Sequence, residues 1–475
     1  MKPVPLFGDG VQSYSAVVTS QRRLNCFFDP RSDQDKTVAV LRGTPGTVKF
    51  VTLPTSPIRG MYVANGLMYV VAGAILYSVS SNGTITSLAS LAAGTGIVSI
   101  ADNGIQLGIV DGTSGWTFTF AGNVLAKIVD ANFPSNPSTI AFLNGRFIVN
   151  RGNTRQFYES ASYDGATWTP VIFATKENYS DLLLAVEVLN GNLILWGAQS
   201  IEFWQDVGAA GVPQQRINGA TQTWGLAAVW SRSKLNNSEI FLGQNPQGTI
   251  QVLMLNGYSP VRVSTSDIEN LINSFSTLSD AVALTYTIEG HAMYQLTFPT
   301  AGRSFLYDAT TNLWGEVQTG IALLTRHYGN LGVVFNTVNY MSDFSSGNIY
   351  RVDENTFTDN GTPIKRQVRT RHIRDGGNQF GISELFIDME TGVGLQMGQG
   401  QDPQIMLQTS KDGGRTYGYE RWATLGKVGQ YSVPRVIWRR MGMARDFVFQ
   451  ITMTDPVKFV IAHGAASVMR MEGEG

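Results

Sequence analysis

The chain has 475 residues, of which 43% are hydrophobic and only 15% charged, with 51 glycines and a formal net charge of −1. That balance gives no global attraction to nucleic acid or to an anionic membrane, and nothing that repels them. One cysteine, Cys26, excludes an intrachain disulfide framework and a cysteine-based zinc site; beside Phe27 and Phe28 it reads as a small buried residue.

The leading MKPVPLFGDG lacks the apolar stretch of a secretory signal. No run reaches the length of a membrane helix, since Leu182–Leu189 is short and carries Glu187. The expectation is a chain made in a cytosol, without a cleaved signal and without a membrane span. Residues 1–60 carry Pro3, Pro5, Pro30, Pro45, Pro54 and Pro57. They predict an extended N-terminal segment joining a repeated region, with turns at Thr44-Pro45-Gly46 and Arg59-Gly60.

Over 61–362 short apolar runs succeed turn signals at a regular interval: Asn65-Gly66, Asn103-Gly104, Asn144-Gly145 and Asn190-Gly191. Looser copies stand at Asn236-Asn237, Glu289-Gly290 and Gly329-Asn330. A period of about 40–50 residues built only of strand-length runs marks a β-propeller, here of six or seven blades. Alternation in Ser200-Ile201-Glu202-Phe203-Trp204 and Thr117-Phe118-Thr119-Phe120 fits blade strands. One helix interrupts the series. Ser266 as cap and Glu269 three residues on form a capping box, and Ile268, Leu271, Ile272 and Phe275 share a face, which predicts a helix over 267–276.

Composition changes at 363–475. A basic strand is predicted over 364–374, with Lys365, Arg369 and Arg371 on one face and Arg366 and Arg374 on the other. Strand signals at Glu384–Glu390, Gln404–Thr409, Arg435–Arg440 and Phe447–Met453 suffice for a separate β-sandwich. The whole is therefore expected to be all-β: a propeller with an inserted short helix, then a C-terminal sandwich.

Ser410, Asp412, Gly414 and Thr416, with Tyr417 after them, form an Asp-box, a hairpin whose Asp caps turn amides; Ser162–Trp168 is a shortened echo. The motif is specific for a turn and weak for function. A glycosidase needs paired carboxylates across a cleft. Glu159, Glu202 and Asp206 read instead as single solvated or salt-bridged acids. The histidines 291, 327, 372 and 463 lack metal-ligand spacing, no GxSxG elbow or phosphate-binding GxxxxGK loop occurs, and Met397 breaks the glycine pattern begun by Gly392 and Gly394. No catalytic residue, cofactor or metal is predicted. The second arginine group, Arg435, Arg439, Arg440 and Arg445, resembles the first in density. Both suit interface or surface charges better than phosphate contacts, and aromatics are not interleaved for single-strand stacking.

Several segments in order resemble the tail-hub, nozzle or packaged-DNA stabilisation proteins of short-tailed phages. They are Asn25-Cys26, Leu41–Gly46, Arg59-Gly60-Met61, Ser200–Trp204, the Ile268-Glu269 helix, Arg369–Ile373, Ser410–Thr416, Trp438–Asp446 and Asp455-Pro456-Val457. The resemblance implies a non-enzymatic virion protein assembled in the host cytoplasm. Such a protein forms a homohexameric ring below the portal-adaptor (head-tail connector). It closes the DNA channel after packaging and carries tail fibres, spikes or a needle. Double-stranded DNA would pass through without sequence recognition. On that reading Arg366, Arg369, Arg371, Arg439, Arg440 and Arg445 are interface or channel-lining charges. The alternative is a carbohydrate-active propeller, a glycosidase or lectin, supported by the Asp-box turns and by Trp116, Trp168, Trp196 and Trp204.

Overall fold

Asn and Gly at the tips of hairpins set the architecture. In the computed structural model, which describes residues 2–470 apart from 5–9, 32–36, 38, 210, 323 and 432–434, Asn65 and Gly66 take φ of 49° and 71°. Asn144-Gly145, Asn190-Gly191 and Glu289-Gly290 do the same. Two successive positive φ values make the type I′ turn whose twist matches paired strands. Each turn joins the first two strands of an antiparallel sheet.

Seven such sheets are present among the described residues, at 58–90, 99–127, 140–175, 183–216, 225–262, 282–317 and 329–353; they are blades one to seven. In blade seven the hairpin tip is Asn336-Thr337, with φ of 47° and 64°, and not Gly329-Asn330, which begins the strand Gly329–Phe335. In blade five the first strand is split into Gly225–Leu226 and Ser233–Leu235 around a 3-10 turn, and both pieces pair with Ser238–Gln244.

Blade seven obtains its fourth strand from the other end of the propeller. Gly46–Thr52 runs antiparallel to Asn348–Asp353, from Asn348↔Thr52 to Asp353↔Gly46. Joining the two ends in one sheet removes the free edges an open ring would leave. Apolar faces fill the gaps between blades: Tyr69, Val71 and Leu76 of blade one bury against Leu107, Ile109, Trp116 and Phe118 of blade two. Each such side chain contributes roughly 1.5–3 kcal/mol on burial.

The helix α1 spans Ser266–Asn273. Its N-cap is Thr265, not Ser266, and no side chain caps it. Glu269 is engaged instead by Ser264 Oγ at 2.6 Å and by the Arg262 guanidinium at 2.7 and 2.8 Å, so the expected reciprocal box does not form. Ile268 and Ile272 are fully buried against blades five and six, so the apolar face docks on the propeller.

The C-terminal part is a two-sheet sandwich. One sheet orders Cys26–Pro30, Ala39–Gly43, Val460–Arg470, Phe380–Met389 and Arg435–Ala444. The other orders Arg22–Leu24, Arg366–Arg369, Asp446–Met453, Gln404–Ser410 and Arg421–Thr424. Between them Leu385, Ile387, Trp438, Phe447 and Phe449 form the core. Cys26 lies in that core, and burial pushes its thiol up to about 12.

The single basic strand expected over 364–374 is interrupted. Arg366–Arg369 and Ile373–Arg374 both pair with Asp446–Met453, and Thr370 sits between them, its hydroxyl accepting the Phe449 N–H at 3.0 Å. Residues 22–52 supply strands to three sheets, and Arg22–Leu24 also lies parallel to the last strand of blade six through Leu24↔Glu316. One ten-stranded sheet thus runs from blade six into the sandwich.

Candidate assembly surface

The junction between the two parts is built from buried polar groups. The Arg22 guanidinium donates to Glu316 through Nε at 3.0 Å and Nη2 at 2.7 Å, and Arg303 Nη2 adds a third bond at 2.7 Å. Asn25, held at φ 52°, donates Nδ2 to the carbonyls of Gln318 and Lys365 and accepts the Gln318 N–H at 2.9 Å. His291 of blade six faces Asp308 at 2.8 Å and Asp29 of the sandwich at 3.7 Å. Its hydrogen bond to Asp308 holds its pKa above the ordinary imidazole range, against burial. Arg42 closes the same side by pairing with Glu289 and Asp29.

The six arginines singled out in the sequence separate into different environments. Arg366 is fully buried and neither lines a channel nor reaches a partner from that position. It lies over Gly43, where a Cβ would fall 2.3 Å from its Nε, and its Nη2 donates to the Phe357 carbonyl at 3.5 Å. Alternation misplaces it because both faces of the strand are covered. Arg369 is half-buried, its Nε donating to Gln450 at 2.6 Å and its guanidinium 4.9 Å above the Tyr417 ring. Arg371, Arg439, Arg440 and Arg445 are exposed. Arg371 donates to Gln21, Arg439 pairs with Glu384 at 3.2 Å, and Arg445 donates to the Gly377 carbonyl.

In the Asp-box, Asp412 accepts the N–H groups of Arg415 at 3.0 Å and Thr416 at 2.9 Å and the Thr416 hydroxyl at 2.6 Å. Ser410 Oγ donates to Asp412 and accepts the Gly414 N–H at 2.8 Å. Ser20 Oγ donates to the Gly413 carbonyl at 2.6 Å, so the turn also fastens the N-terminal loop.

The three acids read as solvated or salt-bridged differ in their surroundings, and Glu159 has Arg146 Nε at 3.9 Å. Glu202 is buried and accepts from the backbone of Asn178 and from the Trp204 indole. Glu159 is buried with neither carboxylate oxygen hydrogen-bonded. Asp206 is half-buried and accepts from Asn144 and from the Gly208 N–H. Trp116, Trp168, Trp196 and Trp204 are all core residues, so none offers a face to a sugar. No group of three or more His, Cys, Asp or Glu able to hold a metal ion occurs among the described residues.

On the propeller axis, the first strands of the blades line spaces of about 380 and 480 Å³. The charges there answer one another: Lys234 meets Glu187 at 2.9 Å, and Arg232 meets Glu187 at 3.3 Å and Glu239 at 3.6 Å.

Two family models match in tandem. Residues 4–357 match bacteriophage P22 Gp10, beta-propeller, and residues 365–469 match bacteriophage P22 Gp10, beta-sandwich. The chain belongs to the P22 Gp10 family. It is a phage structural protein of the packaged-DNA stabilisation, tail-hub type found in short-tailed phages.

No curated protein matches the chain. Similar solved structures include the extracellular domain of a putative hybrid two-component system from B. thetaiotaomicron, at 5% identity and TM-score 0.45, covering 66% of this chain and 40% of that one. Others are the N-terminal domain of Nup159, at 10%, 0.40, 68% and 97%, and the Neurospora crassa Pan2 WD40 domain, at 10%, 0.41, 65% and 95%.

In this Gp10-family chain the Arg22–Glu316 pair has no signature in the sequence, since nothing local marks a parallel contact between Leu24 and Glu316. Asn25 is visible there only through the family resemblance.

Proposed function

We propose that this Gp10-family chain is the tail hub, or nozzle, of a short-tailed phage. It forms a ring of about six copies under the portal-adaptor, consistent with the closed symmetry of most homo-oligomers. That ring closes the channel after packaging, stabilises the packaged genome and carries fibres, spikes or a needle. The role is structural and non-enzymatic, exercised in the virion after assembly in the host cytoplasm. The observation that carries this reading is the tandem family match, propeller then sandwich, over nearly the whole chain.

The continuous sheet from blade six into the sandwich supports it, because a hub under internal pressure needs two parts that move as one. The near-zero net charge suits a conduit in which DNA slides rather than adheres. Arg371, Arg439, Arg440 and Arg445 are the exposed cations we assign to contacts with neighbouring copies or with the adaptor. The blade-bearing stretch 61–362, closed by Gly46–Thr52, and the sandwich stretch 363–475, completed by Arg22–Leu24, Cys26–Pro30 and Ala39–Gly43, are the units on which we place these roles.

The test is retention of DNA. Purified chain added to tailless, DNA-filled capsids should protect the genome from nuclease. Capsids that lose DNA equally fast with and without it would contradict the assignment. Arg439→Ala with Arg445→Ala should weaken protection while leaving the fold intact.

A further inference from the structure

Blade six meets the sandwich through a hairpin tip that carries an acid. Asn65, Asn144, Asn190 and Asn236 take positive φ at the tips of blades one, three, four and five, whereas blade six puts Glu289 there at φ 45°. A side chain of that kind is strained in the left-handed region, and such strain persists chiefly where a site uses it. Glu289 uses it to reach the sandwich, since Arg42 Nη2 donates to its Oε1 at 2.7 Å. Arg42 also donates to Asp29 Oδ2 at 3.1 Å, and Arg31 donates to the same oxygen at 2.6 Å. A crevice of about 190 Å³, with Phe27, Arg42, Glu289 and Glu354 in its wall, runs along this side of the seam.

His291, two residues after that acid, is buried between two carboxylates. Its Nδ1 lies 2.8 Å from Asp308 Oδ2 in its own blade, and its Nε2 lies 3.7 Å from Asp29 Oδ1 in the sandwich. Phe27 of the sandwich packs edge-on against the ring, with centroids 5.0 Å apart. Asp308 also accepts the Thr310 N–H and the Thr311 hydroxyl, each at 2.9 Å, so it is a carboxylate to which Nδ1 donates. A neutral ring would then turn the lone pair of Nε2 towards Asp29; only the imidazolium offers a proton to both acids. The bond to Asp308, ahead of the charge of Asp29, holds the ring's pKa above the ordinary imidazole range against burial. The neighbouring groups move the other way from neutrality. Glu289 is held below the usual carboxylate range chiefly by Arg42, and the phenols of Tyr286 and Tyr307, beside Asp308, are pushed up chiefly by burial.

We propose that His291 is a proton-operated clasp across the seam: protonated, it ties blade six to the sandwich through Asp308 and Asp29, and neutral, it lets this side of the seam open along the crevice. The contact through Arg22 and Glu316 stays closed in both states, held by that pair and by the shared sheet. The clasp is complete below the ordinary imidazole value of about 6.5 and is lost as pH rises through the higher value of the closed seam. The inference concerns the free chain and does not rest on the hub reading.

The test is hydrogen exchange on the full chain across a pH series, read by mass on overlapping peptides and corrected for intrinsic rates, with the His291 ring signal followed by NMR. Between about pH 6 and about pH 9, protection at residues 27–30 and 289–293 should fall roughly tenfold, while residues 22–24 and 313–317 keep theirs. In His291→Gln the seam amides should be as open at the acid end of the series as the parent's are at the alkaline end, with no further change. Asp29→Asn should remove the step at the seam while His291 still titrates against Asp308. A His291 signal that titrates below the ordinary imidazole range would overturn the proposal. So would protection at the seam that does not change with pH, an equal loss at residues 22–24 and 313–317, or the same step in Asp29→Asn.

Discussion

Arg22 of the sandwich and Glu316 of blade six form a two-bond pair, at 3.0 and 2.7 Å, with side chains only 8% and 2% exposed. Arg303 shares the same carboxylate. Two guanidinium groups therefore depend on one buried acid, at the point where a single sheet passes from one part of the molecule to the other. The pair fixes the angle between propeller and sandwich, because neither charge can move without leaving another unsolvated.

Removing that acid should be costly. Glu316→Ala leaves Arg22 and Arg303 buried without it and should destabilise the chain by about 3–5 kcal/mol. Denaturant titration would read the loss; an unchanged midpoint would contradict the junction's importance.

Ring closure gives a second expectation. A Cβ on Gly46 would meet the backbone carbonyl oxygens of Thr358 and Thr356 at 2.4 and 2.5 Å. Backbone cannot step aside as a side chain can, so Gly46→Ala should cost about 1–3 kcal/mol. Limited proteolysis should then cut more readily around the closing strand Gly46–Thr52. Protection equal to the parent chain would argue against closure by that strand.

Stability should depend on pH through Glu159. Burial pushes its pKa from 4.5 up to about 8, with Arg146 opposing and Asp206 adding to the rise. The folded chain keeps the proton through that window while the unfolded chain releases it. The contribution is thus fully present below about pH 4.5 and is lost as pH rises towards 8, at no more than about 1.4 kcal/mol per pH unit. Glu159→Gln should gain stability relative to the parent from pH 5 to 8. Parallel curves for the two proteins would refute the assignment.

The Asp-box supports a local structure with a distant attachment. Asp412→Ala removes acceptors for Arg415 and Thr416 and should cost about 1–2 kcal/mol. Because Ser20 holds the Gly413 carbonyl, hydrogen exchange should rise at residues 14–20 as well as in the hairpin. Exchange confined to the hairpin would show that the two are not linked.

Much of the fold is legible in the sequence because it is written in local chemistry. Asn-Gly and Glu-Gly tips supply the positive φ that hairpins need, and they recur from blade to blade. Gly329-Asn330 misleads because a glycine opens the strand, while the true tip, Asn336-Thr337, lacks glycine altogether. The sandwich strands show in their alternation, but alternation cannot report what covers a face. Arg366 therefore reads as surface although the sandwich and the segment around Phe357 enclose it. For the same reason the sequence does not show that Glu159 and Glu202 are buried, Glu159 beside Arg146 at 3.9 Å.

The most direct measurement is the particle mass and shape of the purified chain, by light scattering and negative-stain imaging, with and without tailless capsids. The account predicts rings of about six copies, or added density at the capsid vertex when capsids are present. A stable monomer that leaves the capsid vertex unchanged would contradict it.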